Sequence, residues 1–223
     1  MTLIELPDLV QGSDEWLEQR RGMVTASVVG KLLTSTGRVA NNDYSRALTA
    51  LLVAERITGY VDPVYVSDDM LRGQEDEPRA VAVYSEHYAP VTTTGMLVRD
   101  DWGFCIGYSP DGLVGDDGLI EVKSRRSKKQ LTTILADEVP AENMPQLQCG
   151  LLVSGRKWID YVSFCGGMPL YPKRVYPNDD WFEAIVNAVR IFEDNAAEMI
   201  AQYERVTAGL PMTERAVDLE MIL

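Results

Sequence analysis

Histidine occurs once in the 223 residues, at His87. That scarcity argues against chemistry centred on an imidazole base. His87 lies beside Tyr88 on an expected helix and reads as a packed or surface side chain. Cysteine is also sparse. Cys105, Cys149 and Cys165 are far apart and odd in number, which argues against a disulfide framework and against a four-cysteine zinc or iron–sulfur site. Each has apolar neighbours, so buried free thiols are expected. No apolar run approaches the roughly 20 residues of a membrane helix. Internal repeats and low-complexity linkers are absent. The first residues, Met-Thr-Leu-Ile-Glu-Leu-Pro-Asp, lack a basic stretch followed by an apolar one. No signal peptide is therefore expected, and a cytoplasmic location is.

Positive charge is in deficit as well. Lys and Arg total 21 against 34 Asp and Glu, a formal net charge of −13. A polyanion binder ordinarily has the opposite balance. Distribution matters more than the total, however. Lys123-Ser-Arg-Arg-Ser-Lys-Lys129 carries five positive charges in seven residues, and Arg20-Arg21, Arg156-Lys157 and Lys173-Arg174 add smaller clusters. An acidic shell around a focused basic groove would repel nucleic acid everywhere but at the groove.

The chain is long enough for one domain with a substantial core. Asn42 is placed to cap a helix running to Gly59, with Leu48, Leu51, Leu52 and Ile57 on its apolar face. Ser67-Asp68-Asp69 opens a second helix carrying Glu77, Val81, Val83 and Tyr84, and Pro78 is expected to kink or restart it. Residues 91–98, 103–108, 111–114 and 119–122 read as strands. The last two flank Gly115-Asp-Asp-Gly118 and form a hairpin. Helices are expected over 128–137 and 141–152. Residues 157–165 alternate as a strand, with Trp158, Asp160, Val162 and Phe164 on one face and Ile159, Tyr161 and Ser163 on the other. Asn178 caps a long last helix to about Val206, with Trp181, Ile185, Val189, Phe192 and Met199 as apolar positions. The order predicts an α/β fold, a mixed central sheet flanked by helices. One domain is expected: a helical part over about 11–90, a sheet core over about 91–176 and a helix over about 178–206.

The hairpin concentrates chemistry. Glu121 and Lys123 are two apart on one strand and project to one face, and the pairing can bring Asp111 beside them. Two converging carboxylates repel unless a cation intervenes. Oxygen ligands favour Mg²⁺, with Mn²⁺ able to substitute. Such a site suits phosphodiester hydrolysis. The metal polarises phosphate and water, while a lysine orients the water, accepts its proton or neutralises charge.

Ser-Pro-Asp111-Gly followed by Glu121-Val-Lys123 resembles the PD-(D/E)xK nuclease motif. Further blocks narrow the resemblance. They are Gln11-Gly-Ser-Asp-Glu-Trp16, Arg20-x-Gly22, Thr25-Ala-Ser27, Gly73-x-x-x-Glu77 and Pro145-Gln146-Leu-Gln148. Taken together they resemble the phage lambda exonuclease (YqaJ-like viral recombinase) family over about residues 11–150. The resemblance implies a restriction-endonuclease-like core and a Mg²⁺-dependent 5′→3′ exonuclease. Such an enzyme digests one strand of linear duplex DNA to 5′-mononucleotides and leaves a 3′ overhang. Asp111, Glu121 and the Val122 carbonyl would be metal ligands, and Glu77 would complete or buffer that site. Lys123 would be the catalytic lysine, with Gln146 holding the water or the lysine. Arg20, Ser27 and Ser109 would bind the 5′-phosphate. Met70 or Leu71, just before Gly73, would part the strands. The resemblance further implies a homotrimeric ring threaded by DNA, a single-strand annealing protein as partner, and a phage or prophage origin in a bacterial host. The alternatives are a restriction-type or RecB-like nuclease of the same superfamily, or a non-catalytic DNA-binding ring protein.

Overall fold

In the computed structural model, described for residues 2–34, 36–63 and 65–215, the strands fall into two four-stranded mixed sheets flanked by helices. One mixed sheet was the expectation; the α/β class stands. In the first sheet the order is β1 (Leu3–Leu6), β3 (Met96–Arg99), β4 (Ile106–Tyr108), β2 (Val24–Thr25). The second runs β5 (Gly112–Val114), β6 (Gly118–Ser124), β7 (Trp158–Phe164), β8 (Tyr171–Val175). Helices α5 (Ser127–Ala136) and α6 (Met144–Ser154) connect β6 to its parallel neighbour β7.

Local signals set most helix ends. The Asn42 side chain accepts from Ser45 N–H at 3.0 Å and opens α3 (Asp43–Thr58), which Gly59 ends in the left-handed conformation. Ser67 caps α4 (Asp68–His87) and Asn178 caps α7 (Asp179–Thr207). Helix α4 runs unbroken through Pro78 and does not restart there. Two short helices, α1 (Asp14–Arg20) and α2 (Ala26–Val29), bracket β2.

The β6–β7 ribbon is buried on both faces, and alternation divides its side chains between two apolar clusters. Leu119, Ile159 and Tyr161 pack with α6 and α7. Ile120, Val122, Val162 and Phe164 pack with Ala80 and Tyr84 of α4. The second cluster seats α4 across that sheet face. Burial of each large apolar side chain stabilises this seating by about 1.5–3 kcal/mol.

Several expectations shift. Residues 91–95 stay outside strand β3; Thr92 bridges to Leu113 of the hairpin and Val91 packs against the same hairpin. The strand expected over 103–108 shortens to Ile106–Tyr108. A 3-10 turn, Ala141–Asn143, precedes α6. On α3, Leu51 is 46% exposed, and Val53 fills the core instead. Met199 on α7 is also exposed, whereas its neighbour Ile200 packs against the core. Cys149 and Cys165 are buried free thiols as expected, but Cys105 is only half-buried. His87 lies on the surface. Among the described residues, no helix is long and apolar enough to cross a membrane.

Candidate active site

The β5–β6 hairpin turns at Gly115, whose φ of +53° suits a residue without Cβ. Its register pairs Gly112 with Ile120, so Asp111, one step further, comes alongside Glu121. The Asp111 carboxylate accepts from Val122 N–H at 2.6 Å. Lys123 Nζ donates to Glu121 Oε1 at 2.8 Å. Gln146, in the first turn of α6, donates to the same oxygen. The Tyr108 hydroxyl, at the end of β4, donates to Glu121 Oε2 at 3.2 Å. Glu121, 2% exposed, thus receives three donors from three elements. Such convergence is what makes a buried carboxylate tolerable.

Glu77 of α4 lines the same cleft, which has a volume of about 340 Å³. Its carboxyl is held above the ordinary value, first by burial and then by the charge of Glu121. Burial, then Glu121 and Glu77, hold Asp111 well above the usual carboxylate range. Burial pulls Lys123 down, but the charges of Glu121 and Asp111 outweigh it and keep the ammonium protonated beyond the ordinary lysine value. Tyr108 is pushed up by burial and by the same two acids.

Three mutually repelling carboxylates therefore share a cleft with one lysine, leaving negative charge in excess. That donor set fits a hard divalent cation. The fit is through oxygen atoms and retained water. Among the described residues no group of three or more His, Cys, Asp and Glu side chains is arranged to hold a metal by itself. Asp111, Glu121 and Glu77 do not close into a three-carboxylate cage. Mg²⁺ ordinarily keeps several waters and needs only one or two carboxylates.

A second group faces the cleft from the N-terminal part. Arg20 Nη2 lies 3.1 Å from both Thr25 Oγ1 and Ser27 Oγ, and its guanidinium stacks 3.9 Å over the Trp16 ring. Trp16 Nε1 donates to Ser109 Oγ at 3.0 Å. Arg20, Ser27 and Ser109 are thus brought to one cleft with the acids and lysine. Burial lowers the Arg20 pKa against a smaller opposing effect of the Glu55 charge, and among the described residues no carboxylate lies within ion-pair distance of Arg20. A half-buried guanidinium with no carboxylate in direct contact is suited to an anion.

Other expected features are not brought in. Met70 and Leu71 are about half exposed, at 47% and 49%, and neither lines the cleft. The basic run over residues 123–129 forms no open positive groove. Lys123 pairs with Glu121, Arg126 with Asp69 at 2.8 Å and Lys129 with Glu142 at 2.7 Å. Arg125 turns inward to donate to Asn143 Oδ1 at 2.7 Å and to the Tyr161 hydroxyl at 3.2 Å. Lys128 alone of the five shows no such contact among the described residues.

Sequence reasoning missed Tyr108, Thr25 and the bracing role of Trp16. Trp16 and Arg20 stand at helical i, i+4 spacing, and that signal was available. Tyr108 carried none, since its hydroxyl meets Glu121 only after β4 and β6 are assembled.

The YqaJ-like viral recombinase domain model matches residues 15–157. The fold is similar to an alkaline exonuclease, LHK-Exo, from Laribacter hongkongensis. The TM-score is 0.80 and the identity 30%, over 89% of this chain and 100% of that one. That enzyme has also been solved in complex with dAMP, with the same degree of similarity. A phage-related exonuclease from Haemophilus somnus 129PT shares the fold at a TM-score of 0.60 and 14% identity, over 81% of this chain and 96% of that one. No curated protein sequence matches the chain. With the domain model spanning more than half of its length and a 30%-identical exonuclease overlying nearly all of it, the chain belongs to the YqaJ-like viral recombinase family.

Proposed function

We propose that this protein is a magnesium-dependent exonuclease that digests one strand of linear double-stranded DNA from its 5′ end. It releases 5′-mononucleotides and leaves a 3′ single-stranded overhang. The observation that carries the reading is the meeting of Asp111, Glu121, Lys123 and Gln146 in the cleft that also holds Arg20. Membership in the recombinase family and the alkaline exonuclease likeness support it. The relative solved with dAMP supports a mononucleotide product.

Asp111, Glu121 and the Val122 carbonyl would hold the metal, with Glu77 completing or buffering the site. Magnesium, or manganese in its place, supplies Lewis-acid polarisation of the scissile phosphate when bound. Lys123, held protonated by its acidic neighbours, neutralises charge that builds on the phosphate oxygens. Gln146 and Tyr108 keep Glu121 from turning. Arg20, Ser27 and Ser109 take the terminal 5′-phosphate. Fixing both the end and the scissile bond makes cleavage count from the 5′ terminus. Met70, on the exposed first turn of α4, is the residue we assign to parting the strands.

The same reading assigns a homotrimeric ring threaded by DNA, a single-strand annealing protein as partner, and a phage or prophage gene acting in the bacterial cytoplasm. It is tested with linear duplexes carrying distinct 5′ and 3′ labels, with and without Mg²⁺, beside a covalently closed circle. The 5′ label should leave first as mononucleotide, only with metal, and the circle should survive. Release of the 3′ label first, or cutting of the circle, would defeat the proposal.

A further inference from the structure

Helix α4 is attached to the protein in two different ways on the two sides of Pro78. Its buried residues are Asp76, Ala80 and Tyr84, at positions i, i+4 and i+8 of one face. Ala80 and Tyr84 lie after Pro78 and sink into the apolar cluster on β6 and β7. The Tyr84 hydroxyl also donates to buried Asp160 at 2.5 Å. Before Pro78 there is no buried apolar side chain, and Asp76, 6% exposed, is the one buried residue of that half. Pro78 has no N–H for the carbonyl of Gln74 and its ring crowds that carbonyl. The helical ladder is thus weakest between the well-anchored half and the half that carries Glu77.

What fastens the first half is polar. Ser124, at the end of β6, points to the α4 side of the strand, opposite in sense to Lys123. Its Oγ donates to Asp76 Oδ2 at 2.7 Å and accepts from Arg72 Nε at 3.0 Å. Arg79 closes the other side of Asp76, donating to Oδ1 at 3.0 Å. Asp69 reaches Arg126, but both side chains are largely exposed, and such pairs contribute little. Asp69, Gly73 and Glu77 lie on the neighbouring face and line the cleft.

We infer that Asp76, Ser124 and Arg72 form a latch that positions the first half of α4, and with it Glu77, against the strand carrying Glu121 and Lys123. These are positioning residues, since none is proposed to touch substrate. Ser124 suits the task because it ends the site strand one residue past Lys123 and, although it borders the cleft, its hydroxyl is taken up by Asp76 and Arg72. Restoring the missing rung at residue 78 should make the latch less necessary, because the Ala80 and Tyr84 anchorage would then extend to Glu77.

The inference rests on the nuclease reading only for its activity measurement. The first measurement is hydrogen exchange on the full chain without DNA. Ser124→Ala should speed exchange of the 72–77 amides about tenfold while the 81–87 amides keep their protection. Ser124→Thr, which retains the hydroxyl, should restore protection, and Asp76→Asn should repeat the loss. Pro78→Ala added to Ser124→Ala should also restore it. In the second measurement, nucleotide release by Ser124→Ala should fall about tenfold in kcat with little change in KM for DNA. That is the size expected when a charge-assisted hydrogen bond positions a reacting group. Unchanged exchange at 72–77, or equal loosening on both sides of Pro78, would overturn the latch. So would a Ser124→Ala enzyme of full kcat. If the unaltered protein releases no nucleotide, the nuclease reading fails, and the exchange pattern decides the latch by itself.

Discussion

Gly150→Ala sets two physical effects against each other. Gly150 lies inside α6, where alanine is favoured over glycine by about 0.8–1 kcal/mol in an open helix. Helix propensity therefore predicts stabilisation. Packing predicts the reverse. A Cβ at residue 150 would stand 2.8 Å from Cζ of Tyr108 and 3.0 Å from Cε1, well inside the ~3.5 Å at which carbons rest. Tyr108 is 1% exposed and has nowhere to withdraw without disturbing neighbours. Overpacking of this kind costs about 1–3 kcal/mol. Its hydroxyl already sits 3.2 Å from Glu121 Oε2, so a shift of a few tenths of an ångström loses that bond. A buried carboxylate oxygen losing a donor adds about 1–3 kcal/mol. After the helix gain is subtracted, the net loss is about 1–5 kcal/mol, or a fall in Tm of roughly 2–20 °C for a chain of this size. Nucleotide release should fall about tenfold to a hundredfold, because Glu121 would lose one of its three braces. Thermal melting and initial rates on one linear duplex measure both. A variant as stable as the parent, or more so, with full rate would refute the claim that Tyr108 is held tightly enough to fix Glu121.

Asp111→Asn and Lys123→Ala should each abolish nucleotide release in Mg²⁺ while binding of duplex in Ca²⁺ persists, and unchanged release by either purified variant would remove the mechanism. Arg20→Ala should shrink the preference for 5′-phosphorylated over 5′-hydroxyl ends; an equal loss on both substrates would mean that Arg20 does not read the phosphate. Salt added before loading should inhibit digestion more than salt added after, since a threaded ring is retained by topology rather than by charge. Equal inhibition in both orders would argue against the ring.

The parts of the fold legible in the sequence were those set by short-range chemistry. Asn42 and Gly59 bound α3, Ser67 and Asn178 open their helices, and Gly115-Asp-Asp-Gly118 turns the hairpin. The alternation of β7 was legible because each of its faces meets an apolar cluster. The partners of the short strands were not. Leu3–Leu6 pairs with Met96–Arg99, more than ninety residues away, and nothing local announces it. Strand β2 is two residues long, too short for any period to appear. Strand β8 contains Pro172, which reads as a strand breaker. The proline is tolerated because β8 is an edge strand with one side free of the ladder. The site divides in the same way. Asp111, Glu121 and Lys123 follow from hairpin register, whereas Tyr108 and Gln146 reach Glu121 only through tertiary assembly.

Charge is where local reading misled most. Five cations in seven residues suggested a positive groove, yet three are matched by carboxylates and a fourth is turned inward. Lys123 spends its charge on Glu121, Arg126 meets Asp69 at the exposed start of α4, and Arg125 braces the approach to α6. The run is therefore better understood as the fastening of the helices around the site strand than as a surface for the DNA backbone. With a net charge of −13 and most of this run paired, the run itself offers little counterion release along a duplex. In the proposed reaction, recognition would then fall to Arg20 with Ser27 and Ser109 at the terminal phosphate, and to the cation that Asp111, Glu121 and Glu77 would hold at the scissile one. An end-specific enzyme would benefit from that division, because the interior of a duplex offers the Arg20 group no terminal phosphate.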